Sequence, residues 1–158
     1  MAEDDRNMPT QDDKPPATVP EKVYIKDASF ETPHSPLMFR KKWDPEIKVE
    51  FQNAINEIRE NLYEVVLGIT VTTSLEGEIA YLAEVQQAGL FTMKGFKAQQ
   101  LHMKQNVFCL RYLFPYASAA ISDLVARGGF PQLLLRPLNF RKLYDERMKQ
   151  LKEATETA

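Results

Sequence analysis

One cysteine, two histidines and six glycines are all that this chain of 158 residues holds of those types. The lone thiol, Cys109, excludes an internal disulfide. It falls within an apolar stripe with no basic group placed to form a thiolate, so it reads as a buried, inert side chain. His34 and His102 have no metal-ligand companion at useful spacing, and His102, close to Lys104, reads as a surface residue. No G-x-S-x-G frame surrounds Ser118 or Ser122. Arg127-Gly128-Gly129 follows a helical pattern, whereas a phosphate cradle would have to precede one. Hydrolase, kinase and dehydrogenase chemistry thus have no carriers, and the sequence predicts no catalytic residues, no metal and no cofactor.

Long apolar runs are missing too. No stretch approaches the ~20 residues that a membrane span needs, so no direct membrane insertion is expected. The opening MAEDDRNMPTQDDK has no basic start followed by an apolar stretch, which predicts no secretory signal and a cytoplasmic protein. The formal net charge of -2 argues against nucleic acid as the main partner, since phosphate binding needs a net basic face.

What is present suits one globular domain with a modest core: 44% hydrophobic and 27% charged residues. Charge is unevenly placed. Residues 1–22 hold Glu3, Asp4, Asp5, Asp12, Asp13 and Glu21 against Arg6, Lys14 and Lys22, with prolines and few large apolar residues. Such a segment buries too little surface to offset its ordering entropy, so 1–22 is expected to be a disordered acidic tail. The domain is expected over 23–152, with 153–158 frayed.

The domain reads as strands first and helices second. Val23 to Phe30 is a short strand. Glu46 to Ile55 alternates, with Ile47, Val49 and Phe51 on one face. Leu62 to Thr73 has an apolar odd face and a mixed, small even face, where Gly68, Thr70 and Thr72 would admit a close neighbour. Ser74 to Glu78 turns the chain at Gly77, and Ile79 to Gln87 forms the next strand, giving an antiparallel meander. After Gly95 the period becomes helical, through Leu101, Cys109, Leu113, Ile121 and Leu124. Pro115 should kink or split this helix, Gly128 and Gly129 should end it, and Phe130 to Leu138 should run extended between Pro131 and Pro137. Asn139 is placed to cap a last helix bearing Phe140, Leu143, Tyr144, Met148 and Leu151. The class is α+β, a four-stranded antiparallel sheet with the C-terminal helices on one face.

Aromatics gather in segments of loop character: Phe39, Trp43, Phe91, Phe114 and Phe130. They either pack beneath the loops as a satellite core or line a groove for an extended apolar peptide. Such a groove would draw affinity from non-directional burial, roughly 25 cal/mol per Å², with little selectivity.

Three blocks in order, VYIKDASFETP (23–33), EVQQAGLF (84–91) and LFPYASAAISDLVARGGFPQLLLRPLNF (113–140), resemble the SecB family of bacterial export chaperones. The resemblance covers 23–151 and implies a homotetramer built as a dimer of dimers. It implies a client groove over Phe39, Trp43, Ile47, Val49 and Phe51. It also implies unfolded preproteins as clients and the motor ATPase SecA as partner. Docking on SecA would fall to Asp27, Glu31, Leu82 and Glu84, and tetramer assembly to Ala83, Val85 and Gln87. Alternation in the strand places Leu82 and Glu84 on one face and the assembly positions on the other. Two features depart from the family pattern. The folded part lacks a strong acidic excess, and ASAA follows Tyr116 where a charged pair is common. These leave open a SecB-like chaperone dedicated to one client, such as an antitoxin. A small-ligand-binding α+β protein is the alternative from another class; it would need a closed pocket with convergent polar groups.

Overall fold

The computed structural model describes residues 14–157. Its strands are β1 (Ala17–Glu31), β2 (Glu46–Arg59), β3 (Leu62–Leu75) and β4 (Glu78–Lys94). They form one antiparallel sheet in the order β1-β4-β3-β2. β2, β3 and β4 are the expected meander, and the Glu76-Gly77 turn has φ of 50° and 81°, the paired positive values of a tight hairpin turn. β1 pairs with β4 at the far edge, so the 32–45 connection crosses the sheet and completes a Greek key. A short 3-10 turn in that crossover, Leu37–Arg40, drives Met38 into the core at 2% exposure.

β1 corrects the expected tail boundary. Residues 17–22, assigned by composition to disorder, are strand: Ala17 pairs with Lys94 and Val19 with Thr92. Pro20 is tolerated because this is an edge strand with a register shift beside it, where a missing N–H costs no ladder bond. The remainder of that segment, 1–13, lies outside the described residues. At the other end the last helix continues past Lys152 to Glu156.

The helices are α1 (Ala98–Met103), α2 (Cys109–Arg127) and α3 (Phe140–Glu156), with a π turn over Lys104–Phe108 joining the first two. Pro115 does not split α2, which runs unbroken through it. The departure from α geometry comes earlier, at the π turn, where Asn106 donates to the His102 carbonyl (2.8 Å) and accepts from Asn53 of β2 (3.0 Å). α2 buries Cys109, Leu113, Ala117, Ile121 and Val125, each 0% exposed and each one turn after the last. They lie against Val65, Leu67, Ile69 and Val71 of β3, Val85 of β4 and their neighbours in one core. Burial pushes the Cys109 thiol up to about 12, so it stays protonated and packs as a small apolar group.

Candidate functional site

Five rings from separate parts of the chain meet at one end of the helix-bearing face: Phe30 of β1, Phe39 and Trp43 of the crossover, Tyr81 of β4, and Phe130 after α2. Phe130 is central, with ring centroids 5.0 Å from Phe39, 5.0 Å from Tyr81, 5.6 Å from Trp43 and 6.4 Å from Phe30. Tyr81 stacks on Phe30 at 5.7 Å and on Trp43 at 6.4 Å. The floor is closed, with Tyr81 1% and Phe130 6% exposed, while Phe39 is 48% exposed at the rim and Trp43 is partly buried.

The sheet extends this floor. Thr73 of β3 pairs with Ile47 of β2 on one side and Tyr81 on the other, so one row of side chains joins the edge strand to the rings. Ile47 is 45% exposed; Val49 and Phe51 follow on the same face, partly buried. Phe51 turns under the helices, 6.5 Å from Phe114, which meets Phe140 at 6.0 Å. The five residues of the expected groove thus share one side of the molecule, with Phe51 the most covered by helices. Next to them, between α2 and the extended 131–138 segment, runs an open cleft of about 750 Å³ lined by Phe114, Pro115, Ala119, Leu134 and Leu138.

The opposite sheet face carries the other group. Glu31 lies directly across from Leu82, Ser29 from Glu84 and Asp27 from Gln86, so Asp27, Glu31, Leu82 and Glu84 form one patch. Gln86 donates to Glu84 at 3.2 Å and covers Gly68. The space that the small even face promised to a neighbouring layer is therefore filled at Gly68 by the chain's own Gln86. Lys26 is bound to Glu64 at 2.7 Å and Lys48 to Glu50 at 2.8 Å. Among the described residues no ion pair neutralises Asp27, Glu31 or Glu84, so the patch is locally acidic although the folded part as a whole is not.

Glu64 is the buried carboxylate of this face, 8% exposed. Tyr24 and Lys26 reach it from β1 across β4, and Asn56 reaches it from β2 at 3.2 Å. These donors, Lys26 foremost and then Tyr24, hold its pKa below the usual carboxylate range. Burial and then Glu64 push the Tyr24 phenol up to about 12.

Ala83, Val85 and Gln87 are 1%, 0% and 3% exposed beneath α2, in the interior of a single chain. Gln87 donates to the Tyr24 carbonyl at 3.0 Å, beside the register shift in β1. His102 is exposed, as the sequence predicts, and its Nδ1 lies 2.7 Å from the Tyr144 hydroxyl, joining α1 to α3. Among the described residues, no three His, Cys, Asp or Glu side chains come together as a metal site would need. No helix among them is long and apolar enough to cross a membrane.

Residues 10–151 match the family model described as preprotein translocase subunit SecB. The chain belongs to the SecB family. It is 43% identical over 138 residues to the protein-export protein SecB of Methylococcus capsulatus, covering 87% of this chain and 89% of that protein. To the Legionella pneumophila protein of the same name it is 44% identical, covering 85% and 83%. To that of Marinobacter nauticus it is 38% identical, covering 97% and 93%. Its function is accordingly that of a SecB protein-export chaperone. Among solved structures it resembles a SecB-like chaperone of Mycobacterium tuberculosis in complex with a peptide from the HigA1 antitoxin. The TM-score is 0.65 at 17% identity, over 77% of this chain and 90% of that one, a likeness of fold. The sequence leads to Phe39 and Trp43 as site residues. It gives no such signal for Phe30 and Tyr81, which sit in strands and read as ordinary core positions.

Proposed function

We propose that the chain is an ATP-independent cytoplasmic holdase. It holds unfolded preproteins over Phe39, Trp43, Ile47, Val49 and Phe51 and presents them to SecA docked at Asp27, Glu31, Leu82 and Glu84. The observation that carries this reading is the division of β4 between its two faces. Tyr81 supplies the floor of the ring cluster, and its neighbour Leu82 points into the acidic patch on the other side. Client and motor then need not compete for one surface. Open rings over a closed floor suit many apolar sequences, because ring burial enforces no hydrogen-bond pattern. An acidic patch whose carboxylates make no ion pair among the described residues suits a basic docking segment and speeds its encounter.

The working form is a homotetramer, a dimer of dimers. Among the described residues β1 is an edge strand with no partner on its outer side, and it exposes Val19 (48%) and Ile25 (53%). Ala83, Val85 and Gln87 act on assembly from below: Gln87 fixes the β1 backbone at Tyr24, and the other two seat α2.

Two variants test the division. Ile47, Val49 and Phe51 replaced together by Ala weaken capture of a permanently unfolded polypeptide and leave SecA binding intact. Glu84→Lys does the reverse. Loss of both activities in either variant, or of neither, refutes the separation of faces. Aggregation suppression across several unrelated clients separates general export, where all are held, from a chaperone devoted to one.

A further inference from the structure

Gly128 and Gly129 read alike in the sequence, as a stop for α2, but the structure gives them different reasons to be glycine. Gly129 has φ +87° and makes the turn. Its N–H bonds the Ala126 carbonyl at 3.0 Å and the Phe130 N–H bonds the Val125 carbonyl at 3.3 Å, the paired bonds of a Schellman ending. Gly128 has an ordinary helical φ of -71°, which any residue adopts. Nothing in the backbone demands a glycine there. Its neighbour does: a Cβ at Gly128 would lie 2.3 Å from Cζ and 2.4 Å from Cε1 of Phe30. The Phe30 ring is therefore laid against the bare end of α2, and from there it stacks on Tyr81 and meets Phe130.

We propose that Gly128 is a positioning residue of the aromatic client site: its missing side chain seats Phe30, and Phe30 with Phe130 fixes the ring floor beneath Trp43 and Phe39. The proposal rests on the reading of that cluster as the client site. The rings form a closed set around Phe130, so a displaced Phe30 moves Tyr81 and Phe130, and both of these lie against Trp43. Affinity for clients is thus set in part by a residue that touches none of them.

Trp43 is the only tryptophan in the chain and reports on the cluster directly. In the full-length protein, Gly128→Ala is expected to shift Trp43 emission without client present. It should also weaken binding of a reduced, carboxymethylated, permanently unfolded protein by about tenfold, the scale of overpacking one methyl group. Adding Phe30→Leu to the same chain makes room for the methyl. The double variant should recover both emission and affinity in part, because the smaller Leu relieves the clash yet still fills the place beside Tyr81 and Phe130. Should Gly128→Ala fail to fold, Phe30→Ala alone must still shift Trp43 emission and weaken the client. The proposal is overturned if Gly128→Ala folds with unchanged emission and affinity, or if adding Phe30→Leu restores neither. Trp43→Ala separates the two levels. If it abolishes capture while Gly128→Ala is silent, the client site stands and the positioning role falls. If Trp43→Ala binds as wild type does, the client reading itself falls and takes the proposal with it.

Discussion

Glu64 shows what a single residue contributes on the sheet's open face. Its pKa is held below the usual carboxylate range by Lys26, Tyr24 and Asn56, so the folded state binds fewer protons than the unfolded chain. The stability this group adds is complete above the ordinary carboxylate pKa of about 4.3 and disappears as pH falls through the lower folded value. Glu64→Gln should lower stability near neutral pH by about 1–3 kcal/mol, read as thermal unfolding, because it leaves Tyr24 and Lys26 short of an acceptor. The deficit should shrink as the buffer is taken below about pH 4. A deficit independent of pH would mean that shape and not charge holds the clasp. Nothing local in the sequence marks Glu64: its partners Lys26 and Tyr24 stand 38 and 40 residues away, and only the register of β1 on β4 brings them within reach. Two strand glycines differ for a related reason. A Cβ at Gly68 meets only the movable end of Gln86 at 2.9 Å, whereas one at Gly89 meets the Phe91 ring at 2.7 Å and Leu113 at 3.0 Å in the core. Gly68→Ala should be nearly neutral in urea unfolding, and Gly89→Ala should cost about 1–3 kcal/mol. Equal costs would show that Gln86 is as fixed as the core.

Among the elements, the strands were legible wherever one face is buried and the other wet. β2 alternates over residues 49–55, whereas β3 alternates only from Ile69 to Leu75, because residues 64–69 are buried on both faces and only its apolar odd positions mark it in the sequence. Strand ends were harder. β4 runs on through Gly89 to Lys94, and β1 starts at Ala17, because pairing between the two rescues residues whose own preference is weak. Composition sees Pro20 and Glu21 as tail; the register makes them edge. The α2 helix shows the same limit from the other side, since tertiary packing every fourth residue outweighs the single bond that Pro115 removes. Capping chemistry was local and so readable: Asn139 accepts the Lys142 N–H at 3.0 Å and starts α3. Beyond that cap, α3 holds on through buried Phe140 and the His102–Tyr144 contact. Asn139→Ala should destabilise by about 1 kcal/mol. The loss should appear as faster amide exchange in α3, with the sheet amides unchanged. Uniform acceleration across sheet and helix would mean that α3 does not open on its own.

For the whole molecule, the decisive surface is the one the sheet leaves unfinished. Among the described residues, β1 spans 15 residues with no strand on its outer side, and long free edges are rarely left open. Alongside it, α2 and the π turn before it carry a ladder of Phe108, Tyr112 and Tyr116 with centroids 6.3 and 6.0 Å apart. Tyr112 meets Phe91 of β4 edge-on at 5.8 Å, and Phe91 pairs with Pro20, which places the ladder next to β1. Tyr116 at 48% and Ile25 at 53% exposed thus flank one edge with apolar surface. A second copy applied there would pair the backbone and cover both, gaining about 25 cal/mol for each Å² of apolar area removed from water. The other edge, β2, bears Lys48, Glu50, Glu57 and Arg59, which oppose such pairing. Sedimentation at micromolar protein should therefore give four chains for the wild type. Ile25→Lys, which sets a charge on the edge without touching the core, should give smaller species with unchanged circular dichroism. Four chains in the variant would move the contact away from β1, and a single wild-type chain would remove the assembled groove from the account of client holding.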